Sequence, residues 1–204
     1  MKIICVGRNY AQHVYELNNE QPDEPVLFMK PDTAIVPKGN PVFLPDFAQE
    51  FHYETEIVLK INRLGKAIPK HLAHGYYDMI GLGLDITARD LQQKLKEKGL
   101  PWEKAKAFDF SAVISRNFIP KREFEDLKDI NFSLYINGQL KQQGNTKDMI
   151  WHFDELVSYI SNFFTLRTGD LIFTGTPAGV GKLNRNDILE GFIDDQLMFN
   201  TKVK

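Results

Sequence analysis

Residues 53–61 read Tyr-Glu-Thr-Glu-Ile-Val-Leu-Lys-Ile, and their alternation decides the fold class. Tyr53, Thr55, Ile57, Leu59 and Ile61 fall on one side of an extended chain. Glu54, Glu56, Val58 and Lys60 fall on the other, the period-two pattern of a strand. Other short apolar runs of strand type lie at 2–6, 26–29, 79–86, 171–174 and 189–203. The stretch 132–142 turns back at Asn137-Gly138, the strongest two-residue hairpin signal. Helical spacing occurs at 10–17, with Asn9 as its cap, at 88–98, stopped by Gly99-Leu100-Pro101, and at 151–164. The polar stretch 18–24 reads as a loop. Strands outnumber helices and do not alternate regularly with them. The expectation is one mainly-β α+β domain over 1–204, not a doubly wound sheet.

Composition narrows the function. The chain has 204 residues, about one domain's worth, and 43% are hydrophobic, enough to build a core. A net charge of −2 with interspersed signs speaks against a nucleic-acid binder. One cysteine, Cys5, leaves no internal disulfide and fits a cytoplasmic location. No signal-peptide core precedes Gly7, and no stretch approaches the ~20 apolar residues of a membrane helix.

The acidic residues carry the chemistry. Glu54 and Glu56 are two apart in a strand, so their carboxylates converge on one face, ~6.6 Å apart along the chain. Unscreened they repel, and a hard cation with oxygen ligands relieves that conflict. A solvated strand face that continues to Lys60 is the competing reading. Asp85 ends the apolar run Gly81-Leu82-Gly83-Leu84, where a lone carboxylate is costly unless paired or metal-bound. It could instead cap the following helix. Together the three carboxylates make a plausible facial metal site with open positions.

The arrangement resembles a known family. Glu54-Thr55-Glu56 followed by Leu84-Asp85-Ile86-Thr87-Ala88-Arg89-Asp90 is similar to the metal signature of fumarylacetoacetate hydrolase family proteins. So are Gly7-Arg8-Asn9-Tyr10, Gly99-Leu100-Pro101-Trp102, Ala105-Lys106, and the run from Thr174 to Gly181. The match is nearest to the small acylpyruvase and oxaloacetate decarboxylase members. The resemblance implies a mixed β-roll, usually a homodimer. It also implies Mg²⁺ or Mn²⁺ held by Glu54, Glu56 and Asp85, and a small 2-oxo acid as substrate.

It implies roles for further residues. His13 and Glu16, three apart on one helical face, match a dyad that activates water in hydrolytic members. By spacing alone they are an exposed helix surface. Lys106 matches the lysine that faces the oxyanion, although taken alone it is a solvated lysine among several. Arg89 and Gln92 share a helical face and suit the far end of a diacid; alternatively, Arg89 pairs with a nearby acid. Thr176 sits in a Gly-rich turn that departs from the nucleotide-loop pattern and suits donation to a carboxylate. The expected reaction is cleavage of an acylpyruvate to pyruvate and a carboxylic acid. Decarboxylation or tautomerisation of oxaloacetate, or isomerisation of a 2-hydroxy-diene dioate, needs the same metal.

Overall fold

The computed structural model describes residues 1–16 and 20–204. Position 17 of the expected first helix and positions 18–19 of the expected loop lie outside the described residues. The strands in chain order are β1 (Ile3–Gly7), β2 (Val26–Lys30), β3 (Phe51–Tyr53), β4 (Thr55–Ile61), β5 (Tyr77–Asp85), β6 (Thr87–Ala88) and β7 (Ala112–Ile114). They continue with β8 (Ile119–Pro120), β9 (Asn131–Ile136), β10 (Gln139–Asn145), β11 (Leu171–Phe173), β12 (Gly181–Lys182), β13 (Ile188–Ile193) and β14 (Gln196–Lys202). The helices are α1 (Ala11–Glu16), α2 (Lys70–Ala73), α3 (Arg89–Glu97), α4 (Glu103–Lys106) and α5 (Phe153–Phe163). The structure is mainly β, as expected.

The largest sheet runs β2-β1-β11-β4-β5-β7, with β8 beside β5. Just past β2, Ile35 bridges Ala112 of β7, and Val36 N donates to Ala112 O at 2.9 Å. The two ends of the strand order therefore meet, and the sheet curls into a roll. Register decides what it encloses. Cys5 lies beside Phe173, Phe173 beside Val58 and Val58 beside Gly81. These side chains join Ile3, Ala112 and Leu171 in one buried cluster. Gly81 and Gly83 stand on the same enclosed side, where Phe118 and Phe173 take the room. A Cβ on Gly83 would lie 2.6 Å from the Phe173 ring. Ile57, Leu59, Ile80, Leu82 and Leu84 point the other way, into a larger core shared with α5 and with β9 and β13 of the sheet β10-β9-β13-β14.

Three local expectations change. The strand expected at 53–61 is interrupted at Glu54: β3 belongs to a small sheet, β12-β3-β6, and β4 begins at Thr55. Period-two spacing continues across the break, so the sequence pattern does not reveal it. The polar side of this segment is not solvated either, since Glu54 is 5% and Glu56 2% exposed. Asn9 does not cap α1. Its Oδ1 accepts from Trp151 N at 2.8 Å, and its Nδ2 donates to Thr174 O at 2.7 Å, so it ties the end of β1 to the end of β11. The hairpin is as expected, with Asn137 at φ 54° and Gly138 at φ 75° between β9 and β10.

Candidate metal centre

Glu56 points to the enclosed side of β4, beside Gly83 of β5, and Asp85 ends β5 on the same side. Asp85 N donates to Glu54 O at 2.9 Å, which brings the break residue alongside. One carboxylate oxygen from each of Glu54, Glu56 and Asp85 lies within 4.8 Å of the others. All three are buried at one mouth of the roll. Asp85 caps no helix; it is fully buried and ion-paired.

Two buried lysines meet these acids. Lys106, from α4, donates to Glu54 Oε2 at 2.6 Å, Asp85 Oδ2 at 2.7 Å and Thr87 Oγ1 at 2.6 Å. It is 3% exposed, so it is not one of the solvated lysines. Lys30, which the sequence reading did not single out, reaches across the roll from the end of β2. Its Nζ lies 2.7 Å from Asp85 Oδ1. It donates to Lys106 O, to Ser111 O at 3.2 Å and to Ser111 Oγ at 3.0 Å. Asp85 Oδ1 is thus paired with the Lys30 ammonium, and Asp85 Oδ2 with that of Lys106.

The electrostatics follow from burial and proximity. Burial, then Asp85 and Glu54, push the Glu56 carboxyl well above the usual range, against Lys106 and the Gly175 N–H. Burial also works against Glu54, but Lys106 and Arg89 outweigh it and hold that carboxyl well below the usual range. For Lys106, burial is outweighed by Asp85 and Glu54, which raise its pKa. Glu56 therefore resists ionisation unless more positive charge arrives. Three buried carboxylate oxygens converging within 4.8 Å fit a hard divalent cation.

The remaining expected residues gather around the same cleft. Its lining includes His13, Arg89, Gln92, Lys106 and Thr176 with the three carboxylates. His13 is buried, not part of an exposed helix surface, and its Nδ1 lies 3.1 Å from Glu16 Oε2. Glu16 Oε1 accepts from Gly179 N at 3.0 Å, which docks α1 on the Gly-rich turn. Burial lowers the His13 pKa below the ordinary imidazole value despite Glu54 and Glu16, so the ring is neutral at pH 7. Arg89 donates to Glu54 Oε1, to Gln92 Oε1 at 2.6 Å and to His52 Nδ1 at 3.4 Å, so its fork is engaged by protein. Thr176 Oγ1 donates to Thr55 O at 2.9 Å and accepts from Gln142 Nε2 at 2.8 Å. Gln142, also missed in the sequence, accepts from Thr55 N at 3.0 Å and so holds the residue between the two glutamates.

A larger cavity, about 510 Å³, lies elsewhere, beside Lys60 at the other end of the enclosed face of β4. No acidic side chain lines it. The three carboxylates sit in the smaller cleft.

The chain matches the fumarylacetoacetate hydrolase C-terminal family over residues 2–202. It belongs to that family. Within the fumarylacetoacetate hydrolase family it is 45% identical over 202 residues to the mitochondrial oxaloacetate tautomerase FAHD1 of Mus musculus, covering 99% of this chain and 91% of that protein. It is 45% identical over 193 residues to the oxaloacetate tautomerase YcgM of Escherichia coli, covering 92% and 86%. Its structure is similar to that of fumarylpyruvate hydrolase from Pseudomonas aeruginosa in complex with Mn²⁺ and pyruvate. The TM-score is 0.91 at 38% identity, over 100% of this chain and 89% of the other. The family acts on 2-oxo acids, and the acidic triad here could bind a metal.

Proposed function

We propose that this protein catalyses keto–enol interconversion of oxaloacetate at a divalent cation, with Mg²⁺ as the physiological metal and Mn²⁺ able to replace it. The observation that carries the reading is the His13–Glu16 pair, 3.1 Å apart, whose His13 lines the cleft of the three carboxylates. A proton donor and acceptor beside a metal site is what enolisation requires. Glu54, Glu56 and Asp85 hold the cation. When bound, it supplies a Lewis acid that favours negative charge on the substrate's carbonyl oxygen. Glu16 takes the proton from C3, and the C–H electron pair forms the C2–C3 double bond as the carbonyl π pair moves onto oxygen. Neutral His13 orients Glu16 through Nδ1, and the Gly179 N–H fixes its second oxygen. Lys106, already between Glu54 and Asp85, adds positive charge on the same side. The proton then passes to the enolate oxygen, so the reaction consumes nothing.

Acylpyruvate hydrolysis is the second reading, and the same dyad favours it. There Glu16, oriented by His13, deprotonates water, which attacks the distal carbonyl; pyruvate leaves as its enolate. Oxaloacetate stands first because relatives at 45% identity over nearly the whole chain carry that activity in their names. The test is to follow enol absorbance of oxaloacetate and cleavage of acetylpyruvate, each with Mg²⁺ and with EDTA. Metal-dependent loss of the enol signal faster than in buffer supports the first reading. Equal rates with and without enzyme remove it. The family resemblance further suggests a homodimer, which light scattering on the purified chain checks.

A further inference from the structure

A dicarboxylic 2-oxo acid carries a second anionic group that must be recognised away from the metal. Three of the five N–H donors of Arg89 are already engaged, by Glu54, Gln92 and His52. Two other cations line the same cleft, Arg8 and Lys96. Lys96 lies on α3 seven residues after Arg89 and four after Gln92, so all three share one helical face. Its Nζ sits 5.4 Å from the centroid of the Trp102 ring, another wall of the cleft. Arg8 leaves the end of β1 with φ 59°, a left-handed backbone that disfavours a long side chain and favours glycine. Such strain at a cleft points to a role for the side chain. Burial first, then Arg8 and Arg89, depress the Lys96 pKa to about 8. The acids of the cleft have partners of their own: Lys106 and Arg89 at Glu54, Lys106 and Lys30 at Asp85, and Gly175 N at Glu56.

We infer that Arg8 and Lys96 form a clamp for the distal carboxylate of the substrate, making the site selective for dicarboxylic over monocarboxylic 2-oxo acids. This rests on the metal-chelating 2-oxo acid reading above. Arg8 supplies the planar fork that suits a carboxylate, and Lys96 the point charge. Trp102 holds the ammonium over its face and limits its motion. Neither residue performs the proton transfer; they set which substrate is held for it.

The experiment compares (S)-malate with (S)-lactate binding to the Mn²⁺-loaded protein by titration calorimetry at pH 7. The two inert ligands differ by one distal carboxylate. Malate should bind wild type at least ~10-fold more tightly, the least expected of one charge-assisted contact. Lys96→Met keeps the reach of the side chain over Trp102, and Arg8→Gly suits the left-handed backbone. Each should bring the malate-to-lactate ratio to within about threefold of one while lactate affinity stays unchanged. Arg8→Gly should also melt no lower than wild type, which a purely structural arginine would not allow. A wild-type ratio near one overturns the clamp, as does an equal loss of both ligands in the variants. Failure of wild type to bind Mn²⁺ or either ligand overturns the metal reading itself, and the clamp with it.

Discussion

At the scale of single residues, the centre balances three buried carboxylates against Lys30, Lys106 and Arg89. Lys30 contributes through Asp85. Removing one partner of a buried ion pair costs about 3–5 kcal/mol, because the other charge is stranded. Lys30→Met should therefore destabilise the metal-free protein by about that amount in urea unfolding. Added Mn²⁺ should recover part of the loss by giving Asp85 a new cationic partner. A variant within about 1 kcal/mol of wild type without metal would show that Lys106 alone suffices. Glu16→Gln tests the dyad. A general base contributes about 10²–10⁴-fold, so both enolisation and acylpyruvate cleavage should fall by that factor, with Mn²⁺ affinity unchanged. Oxaloacetate decarboxylation, which needs no base, should lose much less. If all three activities fall equally, Glu16 acts by docking α1 on Gly179 rather than by moving protons. The triad was legible in sequence because Glu54-Thr55-Glu56 and a strand-ending Asp85 are local signals. Lys30 left a similar trace, a charge closing the apolar run Val26-Leu27-Phe28-Met29, but that trace does not say which acid it reaches. Gln142 left none: it follows a register irregularity in β10 that only the pairing with β9 reveals.

At the scale of elements, the Gly-rich turn after β11 carries as much of the site as the strands do. Gly175 N donates to Glu56 Oε2 at 2.7 Å, and Gly175 has φ 100°. A Cβ there would stand 2.7 Å from Asn9 Cβ and 3.2 Å from Val6 O. Gly175→Ala thus meets both a disfavoured backbone and a collision with the residues joining β1 to β11. The turn must move, and the Glu56 hydrogen bond goes with it. Weaker Mn²⁺ binding, by roughly 10-fold as for lost supports of metal ligands, is the expected result in an electron-resonance titration. Unchanged affinity with the turn intact would remove the turn from the site. The elements themselves were read unevenly. Asn137-Gly138 and the periodicity of α3 and α5 are local, so the sequence displays them. β3, β6, β7, β8 and β12 span two or three residues each, too short for a period to show. The bridge from Ile35 to Ala112, which closes the roll, joins positions far apart in sequence and leaves no periodic sign.

At the scale of the whole molecule, the roll depends on the parallel pairing of β1 with β11, and a buried acid secures the entry to both strands. Asp170 is 2% exposed. Its Oδ1 accepts from Lys2 N at 2.8 Å and its Oδ2 from Arg167 N at 2.8 Å, while Lys2 Nζ lies 2.5 Å from Oδ2. Burial works against the charge, but the Lys2 and Arg167 contacts outweigh it and lower the Asp170 pKa from its ordinary value. A depressed folded pKa means that the stabilisation is fully present above the unfolded value of about 3.9 and fades as pH falls through the folded value. Asp170→Asn loses the charge and one acceptor. It should cost about 1–3 kcal/mol at pH 7, the range for hydrogen bonds to charged groups. For a chain this size each kcal/mol lowers Tm by about 2–4 °C. The difference between wild type and variant should be the same at pH 7 and pH 5, since both lie above the unfolded pKa. At pH 3 it should shrink, because the unfolded wild-type chain, where the Asp170 pKa is the higher one, takes up a proton first. Melting curves at the three pH values decide the matter. A difference that grows toward pH 3 would mean the carboxylate acts through repulsion rather than through Lys2. In that case the join between β1 and β11 would rest on their backbone pairing, on Asn9 and on the Ile3, Cys5 and Phe173 packing.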